Sequence, residues 1–124
     1  MDEQATIQKV YEEVRKCFST VSNLEALYVG KTDDKEYNEN RHKKEYANIK
    51  IIAKGTPQLI SEGEDYLIKH LKNDFPCFID NKNEGSAGNP DANMLYIAWN
   101  INYENINQVD EPEIFDNPYE LVKD

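Results

Sequence analysis

Ile49-Lys50-Ile51-Ile52-Ala53-Lys54-Gly55-Thr56-Pro57 carries the change from strand to helix that decides how the chain is read. Ile49, Ile51 and Ile52 predict a strand, closed by Gly55. Thr56 then supplies an oxygen to cap the exposed amides of a helix start, and Pro57 suits the first helical position. The helix predicted from there runs to about Asn73, with Leu59, Ile60, Leu67, Ile68 and Leu71 facing inward. Gly63 interrupts it at a cost of about 1 kcal/mol relative to alanine. It is there either for close packing against a sheet or because the helix tolerates it.

Upstream, Ile7, Val10, Tyr11, Val14 and Phe18 recur at spacings of three and four and predict an amphipathic helix over residues 4–19. Ala26 to Val29 reads as a short strand ending at Gly30. Residues 31–40 are polar and turn-rich, and a charged helix from about Glu36 to Ala47 follows with weak patterning. Downstream, residues 80–93 are rich in Asn, Gly, Asp and Pro and predict a loop. Met94 to Trp99 predicts another strand. The expected fold is therefore α/β (α+β): a small mixed or antiparallel sheet of about three to four strands flanked by helices. Residues 1–106 are expected to form one domain with an N-terminal helix. Residues 107–124 are expected to be an acidic tail that either docks or stays mobile.

The 124 residues are one domain's worth of chain. Hydrophobic residues make up 39% of it, too many for a wholly disordered chain. No apolar run approaches the ~18 residues of a membrane span, so no membrane association is expected. Met-Asp-Glu-Gln at the start predicts no signal peptide. Cys17 and Cys77 cannot build a disulfide framework, which points to an intracellular protein, cytoplasmic or nuclear. Both thiols are expected to be small buried apolar residues. Fourteen Lys and Arg stand against 24 Asp and Glu, for a net charge of -10. A protein that grips nucleic acid through its phosphates usually has the opposite balance. Any such contact would have to come from the locally positive stretch Lys31 to Lys54, with Lys31, His42, Lys43 and Lys44 as the expected contacts. His42 and His70 lack metal-ligand spacing, and each is expected to serve packing or surface.

Three segments, taken in order, resemble one family. Leu27-Tyr28-Val29-Gly30-Lys31-Thr32 is followed by Arg41, then by Glu64-Asp65-Tyr66-Leu67-Ile68, then by Asn81-Lys82-Asn83-Glu84-Gly85-Ser86-Ala87-Gly88. The set is similar to the GIY-YIG nucleases over about residues 26–88. The resemblance implies a metal-dependent endonuclease that hydrolyses nucleic-acid phosphodiesters. Glu64 would hold Mg²⁺ or Mn²⁺ through a carboxylate oxygen, and Arg41 would stabilise the phosphate with paired hydrogen bonds. Tyr28 would help activate water, and Asn81 would order the site. The Gly-Ile-Tyr strand that opens the family pattern has no counterpart upstream, and Tyr96 on the late strand is the expected stand-in for its tyrosine.

Read from the residues alone, the same positions have plainer roles. Tyr28 suits a half-buried strand position, Arg41 a solvated helix face, Glu64 an exposed carboxylate and Asn81 a turn. The sequence thus leaves three functions open. The first is the nuclease. The second is a catalytically lapsed relative that binds protein or nucleic acid. The third is an acidic DNA mimic or inhibitor that acts through protein contacts at its acidic surface. Oligomeric state is left open as well.

Overall fold

A computed structural model describes residues 3–34, 45–81, 90–102 and 112–123. Seven elements follow in order: β1 (Gln4–Ala5), α1 (Ile7–Ser19), β2 (Leu24–Thr32), β3 (Asn48–Lys54), α2 (Pro57–Asp74), β4 (Met94–Ile101) and β5 (Tyr119–Leu121). The fold is mixed α/β, as expected, but the sheet has five strands rather than three or four, in the order β1-β5-β3-β4-β2. β3 is its centre, and β4 beside it is antiparallel to β2 on one side and to β3 on the other. β5 lies parallel to both β3 and β1.

Both helices begin at a threonine. The Thr56 hydroxyl accepts from the Leu59 amide at 3.3 Å, with Pro57 in the first turn. The Thr6 hydroxyl does the same for Lys9 at 3.2 Å. The first helix therefore starts at Ile7, and Gln4 and Ala5, expected inside it, are strand β1. A capping oxygen satisfies one of the amides that the first helical turn leaves without a partner.

Val10, Val14 and Phe18 of α1 and Ile60, Leu67, Ile68 and Leu71 of α2 are buried in one core with Leu27, Val29, Leu95 and Ile97 of the sheet. The Phe18 ring meets Trp99 edge to face at 5.5 Å, so α1 packs on the face of β4 that carries Leu95, Ile97 and Trp99. α2 packs on that same face. A Cβ on Gly63 would lie 2.9 Å from Leu95 Cδ1. Close approach to the sheet is thus why glycine stands there. Leu59, expected inward, is half-buried at the margin of this core.

β5 comes from the segment expected as tail. Two bonds tie it to β1: Glu120 N–H donates to the Glu3 carbonyl at 2.9 Å, and Val122 N–H to the Ala5 carbonyl at 3.0 Å. The charged helix expected at about 36–47 and the glycine-rich part of the 80–93 loop lie largely outside the described residues. Among the described residues, no helix is long and apolar enough to cross a membrane.

Candidate functional site

Strand alternation on β2 sorts the expected site residues onto two faces. Leu27 and Val29 are fully buried beneath the helices. Lys31 continues that row and lies opposite Leu95 in the register. Its side chain reaches α2, where Nζ donates to Ser61 Oγ at 2.8 Å and stands 3.9 Å from Glu64 Oε1. Both charged side chains are almost closed from water, at 8% and 7% exposure. Glu64 Oε1 is buried and has no hydrogen-bond partner among the described residues. At 3.9 Å the ammonium attracts the carboxylate without hydrogen-bonding to it.

Burial therefore governs the Glu64 carboxyl. It raises the pKa from an ordinary 4.5 to about 7; Lys31 pulls it down and Asp65 pushes it further up. Glu64, expected as an exposed carboxylate in its plainer reading, is 5% exposed. It sits four residues after Ile60 and three before Leu67, on the stripe that faces the sheet.

Tyr28 points the other way. Its ring stacks near Tyr96 at 6.1 Å between centroids and near Tyr46 at 5.9 Å. Tyr96 lies opposite Gly30 in the register, on this same second face. The sheet thus stands between Tyr28 and Glu64. Tyr96 does share a face with Tyr28. The Tyr46 hydroxyl donates to Asp80 Oδ2 at 2.6 Å. Burial and that carboxylate hold the phenol well above its usual pKa.

Asn81 works on the backbone. The Val29 N–H donates to Asn81 Oδ1 at 2.9 Å, and Asn81 Nδ2 donates to the Val29 carbonyl at 2.8 Å. The carboxamide takes the part that a neighbouring strand would take. Beside it, Leu27 N–H donates to the Phe78 carbonyl and Asp80 N–H to the Leu27 carbonyl, each at 2.8 Å. Residues 78–81 therefore close the outer edge of β2, an edge that would otherwise expose unpaired amides.

Arg41, His42, Lys43 and Lys44 lie outside the described residues, as does Gly85. His70 packs against Tyr66 at 4.1 Å and Tyr11 at 5.2 Å. The Tyr11 hydroxyl donates to the Asp74 carboxylate. Cys17 is half-buried, and its thiol donates to the Glu113 carbonyl at 3.1 Å. Cys77 is exposed, contrary to the expectation of a buried residue. It lies in the turn after α2, where the flanking Phe75 and Phe78 pack against the core instead.

Among the described residues, no three His, Cys, Asp or Glu side chains gather as a metal-holding group. The surroundings of Glu64 do not fit Mg²⁺ or Mn²⁺, which take several oxygens and repel a nearby ammonium. Comparison finds no family model that matches the sequence, no matching curated protein and no matching solved structure. The residue that reasoning from sequence missed is Lys31 as the partner of Glu64. Its partial signal is the alternation Leu27, Val29, Lys31, which sets the lysine on the same face as two apolar residues.

Proposed function

We propose that this chain is a non-catalytic binding domain that acts through protein contacts at its acidic surface. The observation that carries this reading is the placement of Glu64, paired with Lys31 beneath α2 while Tyr28 lies on the opposite face of the sheet. Water activation and phosphate stabilisation need their groups on one surface, within reach of a single phosphate. The roles of Asn81 and Glu64 inside the fold support the same reading. The net charge of -10 favours a partner with a basic surface and disfavours nucleic acid.

A binding titration tests it, with labelled protein, duplex DNA, single-stranded RNA and a basic protein such as core histones as probes. The expected result is histone binding that weakens about tenfold or more between ~50 and ~200 mM salt, with none to either nucleic acid. Nucleic-acid binding at moderate salt, or indifference to the basic protein at low salt, would overturn the reading.

A further inference from the structure

The space under the first turns of α2 holds two opposite charges that do not satisfy each other. Lys31 Nζ directs its hydrogen bond to Ser61 Oγ, and Glu64 Oε1 is left without one among the described residues. Both side chains are nearly closed off from water. Lys31 on β2 and Asp65 on α2 are the charged groups that act on Glu64 among the described residues. At the adjacent Gly63 the nearest side chains are Leu95 from β4, Leu121 from β5 and Ile7 from α1, all apolar.

We propose that Glu64 is a proton-operated latch that holds α2 on the sheet when neutral and loosens it when ionised. A neutral carboxyl is tolerated in an enclosed site far better than a carboxylate. Once ionised, Glu64 must draw Lys31 away from Ser61 or admit water, and either movement disturbs the seat of α2 on β2. The folded-state pKa of about 7 lies above the ordinary 4.5. The fold therefore favours the protonated form. Its stabilising contribution is complete below the unfolded value and is lost as pH rises through the folded one. The latch would open over the range in which cellular pH varies, and it adds a control on shape to the binding role without depending on it.

Amide hydrogen exchange across α2, corrected for intrinsic rates, tests this at about pH 5.5 and about pH 8. Protection over Ile60 to Leu71 is expected to fall about tenfold or more in the native sequence and to stay level in Glu64→Gln. Equal pH dependence in both proteins would overturn the latch, as would constant protection in the native sequence. A carboxyl-carbon NMR titration of the native protein needs no folded variant. A Glu64 midpoint near neutrality supports the latch, and one in the ordinary carboxylate range contradicts it.

Discussion

The ring of Tyr96 lies directly over Gly30 across the β2–β4 pair, so that a Cβ on Gly30 would fall 2.2 Å from the phenol oxygen. Tyr96 is 3% exposed and has little freedom to withdraw. Gly30→Ala is expected to destabilise the protein by about 1–3 kcal/mol through overpacking. The same substitution in a Tyr96→Ala background should cost clearly less, because the obstructing ring is gone. Urea denaturation of the four proteins measures this coupling, and additive effects would show that the ring and the glycine are independent.

Asn81 holds Val29 by both of its backbone groups. Asn81→Ala leaves a donor and an acceptor unpaired on the β2 edge, with an expected loss of about 1–3 kcal/mol. Asn81→Asp keeps an acceptor for the amide but sets a carboxylate oxygen against the Val29 carbonyl, and should be no milder. Exchange of the Val29 amide should accelerate in both variants. An unchanged rate would mean that the clamp does not form in solution.

At Gly63 two effects of similar size oppose each other. Alanine favours the helix by about 1 kcal/mol, and its Cβ would press on Leu95, which is fully buried. Overpacking against a side chain with no room to retreat costs about 1–3 kcal/mol, so Gly63→Ala is expected to lower the denaturation midpoint. A raised midpoint would show that Leu95 has slack.

Thr56 and Thr6 cap α2 and α1. Replacing either with alanine should cost about 1 kcal/mol, and the two losses should add, because the caps share no partner. Thermal melts followed by circular dichroism provide the comparison.

Much of this fold is legible in the residues. Thr56-Pro57 marks the start of α2, the spacing of Val10, Val14 and Phe18 marks the buried face of α1, and Met94 to Trp99 marks the interior strand β4. β1 and β5 are not legible. With two and three residues they show no period, and their partners lie at the far end of the chain. The candidate site is half legible. Tyr28 and Lys31 are an odd number of residues apart on one strand and must point to opposite faces. Glu64 falls on the same helical stripe as Ile60, Leu67 and Leu71, which implies burial. Which face of the sheet α2 covers is a tertiary fact, and without it the Lys31–Glu64 pair cannot be inferred. The exposure of Cys77 is hidden for a similar reason: the turn decides that its phenylalanine neighbours, not the thiol, meet the core.

A cleavage assay tests the central claim most directly. The native protein and Glu64→Gln would be incubated with labelled single-stranded, duplex and branched DNA and with RNA, in Mg²⁺ and then in Mn²⁺. A non-catalytic domain with Glu64 enclosed beside Lys31 predicts no metal-dependent cleavage by either protein. Metal-dependent cleavage abolished by Glu64→Gln would contradict the account and make Glu64 a catalytic metal ligand.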